Sequence, residues 1–184
     1  MDDDRLIEAF FARSERAIDE LSARYGTLCI RTAENILGDR RDAEECVNDA
    51  YLAVWHAIPP ARPKPLAGYV CRIVRNLAVK RYRSNTAKKR NGTYDAALDE
   101  LSEILPDSAR VEDGPEAKEL AAAVNAFLAT REKKDRIMFV RRYWHADRIA
   151  QIAALFGMRE HAVSVRLSRT RKALQAYLIK EGIV

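Results

Sequence analysis

Val163, Leu167, Thr170, Leu174 and Leu178 recur at intervals of four, three, four and four residues, the spacing of side chains along one helix face. The same period runs through most of the 184-residue chain. No stretch alternates apolar with polar residues as a half-buried strand would. An all-α fold is therefore expected, and the length suits two small helical domains or one larger one. Apolar residues make up 48% of the chain, enough for real cores. Charges interrupt every apolar run, so none reaches the ~20 residues of a membrane-spanning helix, and no membrane insertion is expected. The acidic start, Met1-Asp2-Asp3-Asp4, is read as neither a signal nor a transit peptide. Cys29, Cys46 and Cys71 lack C-x-x-C spacing, and His56, His145 and His161 lack ligand spacing. Reduced, mostly buried thiols in a cytoplasmic protein are expected, with no metal site and no cofactor.

Residues 4–24 read as a helix with Leu6, Phe10, Ala17 and Leu21 inward. Gly26 is placed as an interruption, 27–37 as a continuation, and Gly38 as the glycine that ends it. Asp42 is placed as the N-cap of the next helix, with Glu45 completing a variant of the capping box. That helix runs to about Ile58. Pro59, Pro60, Pro63 and Pro65 end it and hold a stiff loop reaching to Gly68. A basic helix follows at about 67–83. Residues 84–116 contain Asn91-Gly92, Pro106 and Gly114-Pro115 and few large apolar groups. They read mostly as linker, with a short helix near 94–105. Helical pattern resumes at 116–129, 131–144, 147–156 and 160–180.

Charge is laid out in blocks. Residues 1–61 and 91–121 are net acidic, whereas residues 62–90 carry ten basic side chains and no acidic one. Residues 131–184 are again basic. Two basic surfaces separated by an acidic segment suggest two contacts with a polyanion.

Asp147 is placed as the cap of a short amphipathic helix bearing Ile149, Ile152, Ala153 and Phe156. Gly157-Met158-Arg159 makes the turn, where glycine adopts positive φ without steric cost. The following helix shows His161, Ser164, Val165, Ser168, Arg169, Arg171 and Lys172 on its outer side. Small polar and basic groups near its start, with cations beyond, suit a helix lying in the major groove. This pattern reads as a helix-turn-helix. In the middle basic helix, Arg72, Arg75, Asn76, Lys80 and Arg83 share one face, opposite Val70, Ile73, Val74, Leu77 and Ala78. Such a stripe tracks a phosphate backbone. The proline-rich loop before it carries Arg62 and Lys64. It is either a pocket for an unstacked base or a tight helix connection. The helix after Asp42 has a core stripe of Ala43, Cys46, Val47, Ala50, Tyr51 and Val54. A second stripe is formed by Glu45, Asn48, Asp49, Leu52 and Trp55. Either a partner protein covers that second stripe, or Trp55 folds back onto the core and the acids are solvated.

Several segments together resemble the bacterial RNA polymerase sigma factors of the sigma-70 family, in the small extracytoplasmic-function (ECF) form. They are Arg24-Tyr25-Gly26, Ile36-Leu37-Gly38-Asp39, Asp42-Ala43-Glu44-Glu45, Asp49-Ala50-Tyr51-Leu52 through Trp55, Arg72 to Ala78, and the helix-turn-helix. The resemblance implies a region-2 helical bundle at 1–90, a flexible acidic linker at 91–115 and a region-4 helix-turn-helix domain at 116–184. It implies that Glu45, Asn48, Asp49, Leu52 and Trp55 dock on the clamp helices of the largest subunit of core RNA polymerase, and that the C-terminal domain meets the polymerase flap. It assigns Arg62, Lys64, Tyr69, Arg72, Arg75, Asn76, Lys80 and Arg83 to recognition and melting of the minus-ten element of promoter DNA. It assigns His161, Ser164, Val165, Ser168 and Arg169 to the minus-thirty-five element, with Arg166, Arg171 and Lys172 near phosphates. Relatives are commonly held inactive by an anti-sigma factor, which makes such a protein a further expected partner. The chain departs from relatives in Pro59–Pro65 and at Tyr69, where tryptophan is common. The expected function is promoter-specific initiation by a protein that is not an enzyme. A stand-alone helix-turn-helix regulator is the alternative; it accounts for the C-terminal part but not for the first 90 residues. A recombinase would need a carboxylate cluster or a nucleophile with arginines, and no such motif stands out.

Overall fold

The computed structural model describes residues 2–85, 92–105 and 115–183, and every regular element among them is an α-helix. The chain divides into two units, Met1–Asn91 and Gly92–Val184.

The first unit contains α1 (Asp3–Phe11), α2 (Arg16–Leu37), α3 (Arg40–Ala57) and α4 (Leu66–Asn85). Helices α2, α3 and α4 pack against one another, and α1 lies along α2. Leu6, Phe10, Leu21, Ile36, Val54, Ile58, Leu66 and Val74 are almost completely buried. Each such large side chain contributes about 1.5–3 kcal/mol through removal of apolar surface from water. The core stripe expected on α3 is the one observed: Ala43, Cys46, Val47, Ala50, Tyr51 and Val54 are all buried.

Two local expectations for this unit are corrected. The break in the first helical stretch falls between α1 and α2, where Arg13 takes φ 52°, and not at Gly26. Gly26 sits inside α2, where a Cβ would stand 3.3 Å from both Ser22 Oγ and Tyr51 Oη. Glycine there permits the close approach of α3, which carries Tyr51. The cap of α3 is Asp39 and not Asp42. Gly38 closes α2 in the left-handed conformation at φ 73°, and Asp39 follows in extended backbone. Its carboxylate accepts hydrogen bonds from the Arg41 and Asp42 amides at 2.9 and 3.0 Å. Asp42 lies one turn too late to serve the first free amides.

The second unit contains α5 (Gly92–Ser102), α6 (Pro115–Ala129), α7 (Lys133–Tyr143), α8 (Ile149–Phe156) and α9 (Glu160–Lys180). Ile104, Phe127, Met138, Phe139, Ile152, Val163, Leu167, Leu174 and Leu178 share one core. The inward residues expected for α9 are those found buried: Val163, Leu167, Thr170, Leu174 and Leu178. Gly157 takes φ 59° in the turn between α8 and α9.

In the acidic stretch, the short helix expected near 94–105 is present as Gly92–Ser102, but it is no part of a flexible linker: Ala97 together with Ile104 belongs to the core of the second unit. Few large apolar side chains announce this, because α5 is also held through a carboxylate, described below. The rest of that stretch, 106–114, lies outside the described residues. Asp147 does not cap α8. Arg148 holds the cap position, and its amide donates to the Gln151 side chain at 2.8 Å. Asp147 is fully buried. Its carboxylate meets the Arg141 guanidinium at 2.5 Å, and its carbonyl accepts from Arg142 at 3.1 Å. A guanidinium is a stronger partner for a buried carboxylate than a backbone amide.

Candidate nucleic-acid and docking interfaces

On α3 the core stripe faces α2 and α4, so the residues between its rows face outward. Glu45, Asn48, Asp49 and Leu52 are all exposed, and Leu52, a large apolar side chain, is 55% exposed. Trp55 is half-buried. Its ring meets Phe10 of α1 edge-on at 6.0 Å. The Arg13 guanidinium stands 5.2 Å from the same ring and donates to the Trp55 carbonyl at 2.6 Å. Trp55 thus folds back in part: one side packs on α1, and the remainder borders the exposed stripe. Glu45 is drawn to one edge by Arg81 of α4, at 2.6 Å. Arg81 also donates to the Asp42 carbonyl, so this arginine ties α4 to α3.

The loop before α4 and the outer face of α4 form a second array. Arg72, Asn76, Lys80 and Arg83 are exposed, and Arg75 is half-buried. The helical period brings them to one side, opposite the buried Val70, Val74 and Ala78. Arg72 lies 5.5 Å from the Tyr69 ring, so the aromatic and the cation form one edge. Arg62 and Lys64 lie on the loop but are not bare cations. Arg62 pairs with Glu8 and covers the Phe11 ring at 4.0 Å, and Lys64 Nζ lies 2.9 Å from Asp4.

The third array is on α8 and α9. His161, Arg169 and Lys172 are exposed, and Ser164, Val165 and Ser168 are partly so. Arg148 and Arg159, which sequence reasoning did not single out, are exposed at the starts of α8 and α9. Their position just before each helix was the only available signal. Two assignments change. Arg166 bridges to Asp135 of α7 at 2.5 Å. Arg171 does not face outward for phosphate: it is 15% exposed, donating to Glu100 at 2.9 Å and to the Tyr143 hydroxyl at 2.6 Å.

Glu100 of α5 is the centre of that buried network. It accepts from Arg142 at 2.7 Å, from Tyr143 at 2.7 Å and from Arg171. Burial pushes the Glu100 carboxyl up, but its hydrogen bonds from Arg142 and Tyr143 and the two guanidinium charges outweigh this and leave it below the ordinary range. Burial, together with the bond to Glu100, pushes the Tyr143 phenol up, so it remains a donor. Nothing in the sequence pairs residues 100 and 171. The three cysteines are free and buried, and burial pushes the Cys46 thiol up to about 11, away from thiolate reactivity. Among the described residues no cluster of His, Cys, Asp or Glu could hold a metal ion, and no helix is long and apolar enough to cross a membrane.

One unit presents a helix with exposed cations, and the other presents two helices joined at the left-handed Gly157 with exposed cations along the second. Residues 21–88 match the family described as Sigma-70 region 2. The RNA polymerase sigma factor CnrH of Cupriavidus metallidurans is 29% identical, over 96% of this chain and 95% of its own length. The solved structure of CnrH in complex with the cytosolic domain of CnrY aligns with a TM-score of 0.46 and 24% identity, over 97% of this chain and 99% of that one. The chain is thus similar to RNA polymerase sigma factors, and within it residues 21–88 match Sigma-70 region 2.

Proposed function

We propose that the chain binds core RNA polymerase and directs promoter-specific initiation, with its first unit docking on the core and melting the minus-ten element and its second unit reading the minus-thirty-five element. The observation that carries this is the outward stripe of α3 within the matched region, where Leu52 stands exposed among Asn48, Asp49 and Glu45. An exposed apolar side chain ringed by polar groups is the usual make-up of an interface hot spot. The clamp helices of the largest subunit are its proposed occupant, and the flap that of the second unit. The Tyr69–Arg72 edge with Asn76, Lys80 and Arg83 supplies an aromatic, a polar reader and cations, the combination that holds single-stranded nucleic acid. His161, Ser164, Val165, Ser168 and Arg169 are the proposed readers of the upstream duplex, with Lys172, Arg148 and Arg159 on phosphates. Each half binds weakly by itself, and joining both to one polymerase raises the effective concentration of each at its element. The protein works in the cytoplasm, without catalysis of its own, and an anti-sigma factor is a further proposed partner.

Run-off transcription with purified core polymerase tests the reading. Promoters are first selected with the reconstituted holoenzyme, and a specific transcript is expected only when the chain is present. Absence of any promoter-specific transcript, together with tight specific duplex binding by the chain alone, would instead establish a stand-alone regulator.

A further inference from the structure

Arg62 and Lys64 are the two cations of the proline-rich loop, and both are met by carboxylates of α1. Helix α1 is fixed in place. Asp2 caps it, Leu6, Ile7 and Phe10 bury its inner face, and Asp3 bonds Tyr25 at 2.5 Å and pairs with Arg24 at 3.3 Å. Asp4 and Glu8 are one turn apart on this anchored helix and so share a face. The side chains of all four paired residues are more than half exposed: Arg62 55%, Glu8 61%, Lys64 73% and Asp4 71%. Exposed pairs of this kind hold weakly and exchange readily. A carboxylate engages a guanidinium with the same planar geometry as a phosphate does.

We propose that Asp4 and Glu8 set the nucleic-acid affinity of the first unit: they occupy Lys64 and Arg62 as internal stand-ins for phosphate, and a single strand must displace them to reach the loop. This rests on reading the loop and α4 as the single-strand edge. The consequence is discrimination. A short or isolated polyanion gains little at the loop, because it exchanges one anion for another and releases fewer counterions. A strand already held by the α4 cations pays no second cost of association and displaces the carboxylates.

The test uses the full-length chain and a fluorescein-labelled oligothymidylate, with binding followed by anisotropy across a salt series. The double variant Asp4→Asn/Glu8→Gln is expected to bind about three- to tenfold tighter at low salt, with a steeper salt dependence. The gain must vanish in an Arg62→Ala/Lys64→Ala background. It must also be absent from the charge-matched control Glu15→Gln/Asp19→Asn, which neutralises two other exposed acids on α2 and its cap. No gain, a gain that survives loss of Arg62 and Lys64, or an equal gain in the control each overturns the proposal. The oligonucleotide measurement needs no polymerase. A chain that fails in run-off transcription but shows the gain keeps this inference and loses the initiation reading, and the reverse result does the opposite.

Discussion

The two basic helices hold their cations differently. On α4 Arg72, Lys80 and Arg83 of the outer stripe are exposed and Arg75 is half-buried, and Arg81, on another side, reaches across to Glu45 of α3. On α9 Arg169, Lys172 and, at its end, Lys180 are exposed; Arg166 is engaged by Asp135 and Arg171 is held against Glu100 and Tyr143. Both helices are strongly basic in sequence, so counting cations does not distinguish them. What distinguishes them is the acid that the fold brings near. Residues 62–90 contain no acidic side chain, and only neighbours from other helices can neutralise that block. The second unit places α5 and α7 carboxylates directly beside α9, and converts two would-be DNA contacts into struts.

The largest expected effect comes from removing the strut itself. Glu100→Ala leaves the guanidinium of Arg142, whose side chain is 5% exposed, without its carboxylate. Loss of one member of a buried ion pair costs about 3–5 kcal/mol. Denaturant unfolding followed through Trp144 should show the second unit strongly destabilised. Lys80→Ala on α4 should shift stability by less than about 0.5 kcal/mol. A small effect of Glu100→Ala would erase the contrast between the two helices.

The neighbouring pair Arg171 and Lys172 sharpens it. Arg171→Ala should lower stability by about 2–3 kcal/mol while leaving the salt slope of promoter binding by the holoenzyme unchanged. Lys172→Ala should do the reverse, flattening that slope by about one unit with no loss of stability. A flattened slope for Arg171→Ala without destabilisation would restore its role as a phosphate contact.

On α3 the same division is expected between Leu52 and Trp55. Leu52→Ala should weaken binding to core polymerase by about 1–2 kcal/mol with unchanged unfolding, because the side chain touches mainly solvent. Trp55→Ala should weaken both, since it also loses the edge contact with Phe10 and the Arg13 cover. Titration of labelled core polymerase with each variant, beside thermal unfolding, separates the two outcomes.

What the sequence makes legible follows from how far apart the interacting residues lie. The buried stripes of α3 and α9 were readable residue by residue, because large apolar groups at helical spacing carry the signal locally. The left-handed glycines at 38 and 157 were readable for the same reason. The role of Gly26 is not local, because its cause is Tyr51, on another helix. At Asp147 a local capping rule competes with a guanidinium from α7 and loses. Helix α5 was undervalued because its attachment depends on Glu100, whose partners are 42, 43 and 71 residues away. The helical period gives the outward stripes their faces, Arg171 excepted, but which of their charges stay available is a tertiary property.

The smallest expected effect is the pH response of that same carboxylate. Burial alone would raise the Glu100 carboxyl, and the bonds from Arg142 and Tyr143 with the charges of Arg142 and Arg171 more than reverse it. Its folded value therefore lies below its unfolded one, so the unfolded chain binds the proton more readily. The stabilisation is complete above the unfolded value, and it is lost as pH falls through the folded one. Thermal unfolding of the second unit should weaken progressively on acidification below about pH 5, into the carboxylate range. In Glu100→Gln the amide cannot titrate, and this part of the acid response should be absent although the variant is less stable at neutral pH. An acid response identical in wild type and Glu100→Gln would show that the guanidinium cluster is not held by an ionised carboxylate. The contrast between α9 and the open array of α4 would then have to rest on apolar packing alone.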